Sequence, residues 1–256
     1  MLLLLSPAKS LDYSSQSLCK DFTLPHFTKE TKQLSDALKK LKAADLKKMM
    51  SISDKLSELN YQRFQGFSNK FDSKNSKQAI LAFDGDVYAP IEREKFTKKD
   101  FDYTQKHLRI LSGFYGLLKP LDLMQPYRLE MGTDLRKSIL EKTLDVKNLY
   151  EFWGDKISNY LNESKASELV NLASEEYFSA INPNKISAQI INIIFKEKKD
   201  GKLKIIGINA KKARGLMVNF AIKNKITSAK DLKEFSEEKY KFNPKLSDKT
   251  NWVFVR

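Results

Sequence analysis

Apolar residues recur along the chain in two patterns, and each pattern predicts a different secondary structure. Short continuous apolar runs predict buried strands. Apolar residues three and four positions apart, such as Leu34, Leu38 and Leu41, predict amphipathic helices. The predicted strands are residues 2–5, 79–83, 169–173, 190–195, 203–208 and 252–255. The predicted helices are residues 29–42, 44–61, 97–112, 155–166, 175–181 and 210–224.

Turn and capping residues separate these elements. The segment Asp84–Asp86 contains a glycine and ends the predicted strand 79–83. Asp200 and Gly201 lie between two β-rich runs, which predicts a hairpin. Thr97, with an aspartate three residues later, has the pattern of a capping box and predicts the start of a helix.

No linker, internal repeat or low-complexity tract interrupts the pattern, and strands are predicted at both ends and in the middle of the chain. Strands distributed in this way favour one mixed domain over two separate ones. We therefore predict a single α+β domain over residues 1–256, with a mixed β-sheet core surrounded by helices.

The sequence excludes several classes of protein. One cysteine, Cys19, cannot form an internal disulfide, so a disulfide-rich secreted framework is excluded. The apolar run Met1–Leu5 is too short for a signal peptide, and no run approaches the roughly 18 apolar residues of a membrane span. We expect a cytoplasmic, monomeric protein that does not bind membranes.

The chain also lacks the common motifs of metal and cofactor sites. His26 and His107 are its two histidines, and Glu-x-x-His, Cys-x-x-Cys, Walker A, G-x-S-x-G and G-x-G-x-x-G patterns are absent. We therefore predict no cofactor and no zinc or carboxylate-bridged iron centre. An all-oxygen metal site stays open because carboxylates are plentiful.

The charge is strongly basic, with 46 Lys and Arg against 32 Asp and Glu and a net charge of +14. Such an excess favours anionic partners. Residues 196–256 hold 17 basic and 7 acidic side chains, so most of the excess lies there. The basic residues are 39 Lys and 7 Arg, and a codon bias towards Lys is the alternative explanation.

A glycine-bounded turn follows the predicted helix 97–112. Glycines let a backbone approach a ligand closely, and N–H groups next to a helix N-terminus can hold a phosphate. Helix-hairpin-helix modules grip DNA in this way without reading its base sequence. A plain turn between two helices is the alternative. The predicted DNA-binding residues of this turn are Arg109, Gly113, Tyr115, Gly116 and Lys119.

A second basic segment follows a predicted strand and contains Lys211, Lys212 and Arg214. Cations at a helix N-terminus oppose the helix dipole, so a bound anion would offset their cost. Residues 196–225 hold ten basic and two acidic side chains. We predict phosphate contacts here; the alternative is a solvated lysine-rich face.

Residues 124–132 form a third candidate, in which Arg128 and Glu130 lie between a proline and a glycine. A structural ion pair between these two side chains is the alternative. An alternative polar site combines residues from the ends of several predicted strands and would suit acid–base or metal chemistry. Its residues are Lys9, Asp12, Tyr13, Asp86, Tyr88, Arg128 and Glu130.

Six stretches are long or unusual enough to suggest a family. They are residues 5–13, 79–88, 107–132, 152–155, 171–174 and 210–217, and they span nearly the whole chain. Together they resemble the YaaA family of peroxide-stress proteins.

The resemblance implies protection from hydrogen peroxide through a lowering of free intracellular iron. It also implies an unusual α+β architecture, the "cantaloupe" fold, with a basic cleft and a helix-hairpin-helix-like element that falls on residues 109–121. The implied partner is double-stranded or branched DNA, bound largely without sequence preference. From charge and motif position we assign Lys9, Arg128, Lys211, Lys212 and Arg214 to the cleft.

Three hypotheses follow. The first is a non-catalytic DNA-binding stress protein that coats DNA and so limits iron-dependent radical damage. The second is an enzyme acting on a nucleotide or nucleic-acid substrate in the polar site. The third is a structural or partner-binding protein whose basic pI has no function.

Overall fold

The main β-sheet organises the molecule, which a computed structural model describes for residues 1–15 and 17–256. Its strands and those of two small sheets are β1 (Leu2–Leu5), β2 (Ser10–Leu11), β3 (Lys77–Gln78), β4 (Phe83–Asp84), β5 (Leu108–Ser112), β6 (Gly116–Leu118), β7 (Leu123–Met124), β8 (Glu168–Leu172), β9 (Gln189–Lys199), β10 (Lys202–Lys204), β11 (Lys241–Phe242) and β12 (Asn251–Val255). The α-helices are α1 (Thr28–Leu38), α2 (Ala43–Met50), α3 (Asp54–Gln65), α4 (Ala79–Ala82), α5 (Lys98–His107), α6 (Leu140–Leu144), α7 (Leu149–Trp153), α8 (Lys156–Glu163), α9 (Glu175–Phe178) and α10 (Gly207–Lys223).

Five parallel strands form the centre of the main sheet, in the order β5-β1-β8-β9-β12. Antiparallel β6 and β11 lie at its two edges, and β10 pairs antiparallel with the end of β9. The sheet is therefore mixed, and the predicted α+β fold is confirmed.

The order of the parallel strands places a reversal beside β1. Numbered by their appearance in the chain, these strands follow the order 2-1-3-4-5, so winding changes direction between β1 and β8. In doubly wound sheets, ligands bind outside the carboxyl ends of the strands at such a reversal. This edge of the sheet is therefore the first place to look for a site.

Several local predictions are confirmed. The four leucines of β1 are buried on both faces, as a central parallel strand requires. Asp200 and Gly201 both have positive φ values, 53° and 73°, and join β9 to β10 in the predicted hairpin. Thr97 and Asp100 form the predicted capping box at the start of α5.

The predicted strand 79–83 is wrong over most of its length, because residues 79–82 form the one-turn helix α4. All four side chains are buried, so every side of this helical turn is apolar. Periodicity cannot distinguish a buried helical turn of this kind from a buried strand. Only the last residue, Phe83, enters a strand.

The predicted helix 97–112 ends at His107, and residues 108–112 form the central strand β5. Leu108 pairs with Leu3 of β1, and this long-range pairing takes the segment into the sheet. β5 then pairs antiparallel with β6, so the turn between them is a β-hairpin turn. The helix-hairpin-helix element predicted over residues 109–121 is therefore wrong.

The predicted helix 44–61 is two helices, α2 and α3. Ser51 takes the left-handed conformation with φ 51°, which ends α2. The Ser53 hydroxyl accepts a hydrogen bond from the Leu56 N–H and caps α3. The predicted strand 203–208 is likewise shorter, because β10 ends at Lys204 and α10 begins at Gly207.

None of the helices in residues 1–15 and 17–256 has the length and apolarity that crossing a bilayer requires.

Candidate functional site

A cavity of about 310 Å³ lies at the reversal point, outside the carboxyl ends of β1 and β8. The loop after β1, the turn after β4, the loop after β8 and one side of α10 form its walls. The charged residues of the lining are Lys9, Asp84, Asp86, Glu130, Glu176, Lys211 and Arg214. We call this space the edge cavity.

Hydrogen bonds between the two strand ends hold its floor. The Ser6 hydroxyl, directly after β1, accepts a hydrogen bond from the Ser174 N–H at 2.8 Å. The Tyr88 hydroxyl donates to the Ser6 carbonyl at 2.9 Å from below. Tyr88 is completely buried, and this burial raises the pKa of its hydroxyl well above the usual value. Tyr88 therefore acts as a fixed structural donor beneath the cavity.

One wall contains a carboxylate between two cations. The Glu130 Oε2 atom lies 2.6 Å from the Lys9 Nζ, and its Oε1 atom lies 3.0 Å from an Arg128 terminal nitrogen. The Glu176 carboxylate on the same side accepts a hydrogen bond from the Gly132 N–H at 3.0 Å. These contacts hold the wall in place and set one negative charge between the two cations.

The opposite wall is the side of α10 that carries Lys211 and Arg214. Gly215 lies against the turn after β4, and a Cβ atom there would be 1.9 Å from the Val87 carbonyl oxygen. A larger residue would therefore push the helix away from the turn. The glycine brings its neighbour Arg214 into the cavity wall.

Arg214 is the least exposed of the three cations that line the cavity. Within residues 1–15 and 17–256 it forms no ion pair, and its buried Nε atom has no hydrogen-bond partner. Burial lowers the pKa of the guanidinium, which reflects its loss of contact with water. Lys212, the adjacent basic residue, instead pairs with Glu238 at 3.1 Å.

The edge cavity carries charges of both signs, unlike a groove that binds phosphates through basic residues alone. Its lining holds three cationic and four carboxylate side chains. A polyanion such as duplex DNA would meet repulsion from the carboxylates. A small ligand with one anionic end and several hydrogen-bond donors suits this arrangement.

A second candidate surface is the hairpin formed by residues 196–204, which we call the basic arm. β12 pairs with β9 as far as Lys196, and the rest of β9 pairs with β10. Lys199 lies directly opposite Lys202, and Lys204 lies opposite Glu197. All three lysines are exposed.

Glu197, the acidic residue opposite Lys204, is held by side chains outside the arm. The Glu197 carboxylate accepts a hydrogen bond from the Tyr240 hydroxyl at 2.7 Å and pairs with Arg256 at 3.2 Å. It also accepts a hydrogen bond from the Asn209 side chain at 3.1 Å. The surface charge of the arm is consequently that of its lysines.

Comparison with known proteins now decides the family. The profile described as peroxide stress protein YaaA matches residues 1–246. The chain belongs to the YaaA peroxide stress protein family. A UPF0246 protein of Acaryochloris marina is 52% identical over 258 residues and is covered completely, as is this chain. A UPF0246 protein of Burkholderia lata is 45% identical over 262 residues, which cover all of this chain and 98% of the relative.

The glycine-bounded turn of residues 113–116 lies inside the protein. The Ser112 hydroxyl accepts hydrogen bonds from the N–H groups of Phe114 and Tyr115, and the Gly113 carbonyl accepts one from the Trp153 indole. Tyr115 is fully buried, and a Cβ atom on Gly116 would be 2.7 Å from Trp153. The N–H groups of the turn are therefore hydrogen-bonded within the fold and are not free to hold a phosphate.

Arg109 and Lys119, which flank that turn, differ in exposure. The Arg109 side chain is buried and donates to the carbonyls of Gln105 and Leu108. The buried Arg109 guanidinium is therefore not exposed to make the contact with DNA that the sequence had predicted. Lys119 is partly exposed, so it remains open to an external partner.

The predicted polar site is assembled only in part. Lys9, Asp86 and Glu130 line the edge cavity, and Arg128 reaches it through Glu130. Tyr88 lies beneath the floor.

Asp12 and Tyr13 are bound elsewhere. Asp12 accepts hydrogen bonds from Ser14 and Ser15, which hold the pKa of its carboxyl well below the usual range. The Tyr13 hydroxyl donates to the Met124 carbonyl at 2.6 Å. Both residues stabilise the loop after β1 and do not belong to the cavity.

Sequence reasoning missed Asp84, Ser174, Glu176 and Tyr177 as lining residues. Asp84 lies in the turn that had been recognised, and residues 171–174 are among the stretches that resemble the family. Their position directly after strands was the available signal. The predicted polar site includes residues after β1 and β4 but none after β8.

Proposed function

We propose that this YaaA-family protein acts in peroxide stress by binding DNA, and that the basic arm makes the phosphate contacts. The observation that carries the proposal is the pairing of Lys199 with Lys202 across the arm. Like charges directly opposite each other destabilise an antiparallel pair. A bound polyanion removes this repulsion.

The arm's other charges support an anionic partner. Glu197 is neutralised by Arg256, and the remaining acidic residue, Asp200, lies 3.6 Å from Lys204 in an exposed pair. Exposed pairs of this kind contribute little, so Lys204 remains available. The arm therefore presents a positive surface over both of its strands.

The shape of the arm is suited to duplex DNA. A two-stranded β-ribbon fits the major groove, and lysines contact phosphates without reading the bases. We expect affinity that depends little on base sequence. Branched DNA offers the same phosphates and is expected to bind as well.

The test is fluorescence-anisotropy binding of a labelled duplex of about 30 base pairs and of a four-way junction, from roughly 50 to 300 mM salt. The double variant Lys202→Gln/Lys204→Gln is expected to bind more weakly at low salt. The slope of log K against log salt concentration should fall by about 2, since each lost phosphate contact lowers it by about 0.9.

A matched control removes the same charge at the other end of β9. Lys245 and Lys249 are exposed, and the Lys249 carbonyl accepts a hydrogen bond from Gln189, the first residue of β9. Lys245→Gln/Lys249→Gln is expected to keep the wild-type slope. Equal slopes for the wild type and the arm variant would remove the arm from DNA binding.

We propose that the protein limits iron-dependent damage by covering the DNA and does not sequester iron itself. Within residues 1–15 and 17–256, no three His, Cys, Asp or Glu side chains are grouped to hold a metal ion. We expect Fe(II), titrated anaerobically into the pure protein, to bind weakly, whereas bound protein should slow iron-dependent cleavage of DNA. Tight stoichiometric binding of Fe(II) would instead establish direct sequestration.

A further inference from the structure

Arg214 lines the edge cavity and lies outside the basic arm. Its Nε atom is buried without a hydrogen-bond partner, although buried polar groups are normally paired. A partly buried guanidinium with no acidic partner has lost part of its hydration, and a bound anion supplies the missing partner. The edge cavity next to it is where that anion has room to bind.

Lys211 adds to the same wall. It lies three residues before Arg214 on α10, so both side chains project from one side of the helix. Both line the cavity. A cationic pair with the guanidinium as a planar fork is a common way to bind the oxygens of a phosphate.

The walls facing Arg214 carry acceptors and not further cations. Asp84, Asp86 and Glu176 line the cavity, and their carboxylate oxygens accept hydrogen bonds. Lys9, the other cation of the lining, lies on the wall that carries Glu130, 2.6 Å from its carboxylate. A ligand that fills the space therefore needs a phosphate at one end and hydroxyl or amino donors at the other.

The size of the edge cavity and its position in the sheet restrict the class of ligand further. About 310 Å³ is at the lower end of the range for small-molecule sites, which favours one nucleotide over a dinucleotide. Pro7, Ala8 and Val87 contribute apolar surface, against which a flat base can lie. The reversal point of a parallel sheet is a frequent position for nucleotides.

We infer that the edge cavity binds a single nucleotide unit, with its phosphate on Arg214 and Lys211 and its ribose and base donors on the carboxylates. The same chemistry is offered by a free nucleoside 5′-monophosphate and by a nucleotide turned out of a DNA strand. A duplex cannot enter a space of this size with its bases stacked.

Isothermal titration with AMP, GMP, CMP, UMP, adenosine and inorganic phosphate tests the inference on the wild-type protein. We expect at least one monophosphate to bind more tightly than both adenosine and phosphate. Arg214→Gln should weaken that binding by about 10-fold to 100-fold, since it removes a charge-assisted hydrogen bond. Lys211→Gln, at an exposed position, should weaken it by a smaller factor and supplies a second test that does not alter the buried wall.

Lys212→Gln is the matched control, because Lys212 is the neighbour of Lys211 but pairs with Glu238. It should leave nucleotide affinity unchanged. Thermal unfolding without ligand is a further readout: Arg214→Gln should unfold at a temperature at or above that of the wild type, because it removes a partly buried charge that has no acidic partner.

A single-stranded oligonucleotide distinguishes the two sources of the nucleotide. If free monophosphates fail to bind while oligonucleotide binding is lost in Arg214→Gln and retained in the basic-arm variant, the nucleotide is part of a strand. If neither kind of probe is sensitive to Arg214→Gln or Lys211→Gln, or if phosphate alone binds as tightly as every monophosphate, the inference is wrong. None of these outcomes depends on the salt slope that tests the arm.

Discussion

Gly215 allows α10 to lie directly against the turn after β4. The Val87 carbonyl occupies the space that a Cβ atom would need. Arg214 and Lys211 owe their place at the edge cavity to this contact, since they lie on the same helix. One missing side chain therefore sets the geometry of a charged wall.

Gly215→Ala is expected to lower the free energy of unfolding by about 2–4 kcal/mol, because backbone atoms cannot move aside as a flexible side chain can. Equilibrium urea denaturation measures the change. Gly207→Ala is the control: this glycine starts the same helix, and no heavy atom lies within 4 Å of its added Cβ. It should be neutral or stabilising by up to about 1 kcal/mol. Similar losses in both variants would contradict the contact.

Individual arginines show how much of the candidate site could be predicted from residue type. Arg109 and Arg214 were both predicted to bind DNA phosphates. Arg109 lies in a central strand and uses its guanidinium on backbone carbonyls, whereas Arg214 lacks a partner and faces a cavity. The sequence gives the position of each arginine along the chain, but the tertiary structure decides whether its guanidinium is buried or lines a cavity.

Among the elements, those whose signals are local were predicted correctly. The hairpin at Asp200-Gly201 and the capping box at Thr97 depend on side chains within a few residues of each other. Two segments whose type depends on distant contacts were not. Residues 108–112 become a strand because β1 pairs with them, and residues 79–82 form a helical turn in a buried environment.

The basic arm belongs to the predictable group. Its turn residues, its β-rich strands and its charge are all visible in residues 196–204. The structure adds the pairing of Lys199 with Lys202 and the inward position of Glu197. The proposed DNA contact thus depends on a single hairpin, and it can be tested by changing two lysines.

For the whole molecule, the sheet order brings separate loops to one edge. Ser6 and Ser174 are 168 residues apart and share a hydrogen bond at the cavity floor. The loop after β1, the turn after β4 and α10 meet there as well. A cavity assembled from such distant segments depends on the global fold, so loss of global stability would also remove the site.

Asp122 links global stability to pH. It is 2% exposed, and burial raises the pKa of its carboxyl to about 6 despite hydrogen bonds from Thr23 and Lys119. An unfolded Asp has a pKa of about 4. Between these values the folded state holds a proton that the unfolded state has lost, so stability falls as pH rises through this window.

We therefore expect Asp122 to reduce the free energy of unfolding by about 1 kcal/mol between pH ~5 and pH ~7. Asp122→Asn should remove this part of the pH dependence, which urea denaturation at several pH values measures. Glu92 and Asp248 have pKa values lowered to about 2, so their effects belong to more acidic solutions. An identical pH profile for the wild type and Asp122→Asn would show that the carboxyl titrates normally.

The amino-acid sequence by itself determined the α+β class, the buried run of β1, the caps and turns, the concentration of basic residues after residue 195, and the family. These properties depend on composition and on neighbours along the chain. The tertiary structure decided that the glycine turn lies inside the protein, that the parallel strands follow the order 2-1-3-4-5, and that Lys9, Glu130 and Arg214 share one cavity. Each of these depends on hydrogen bonds and packing between segments far apart in the chain, for which local periodicity carries no information.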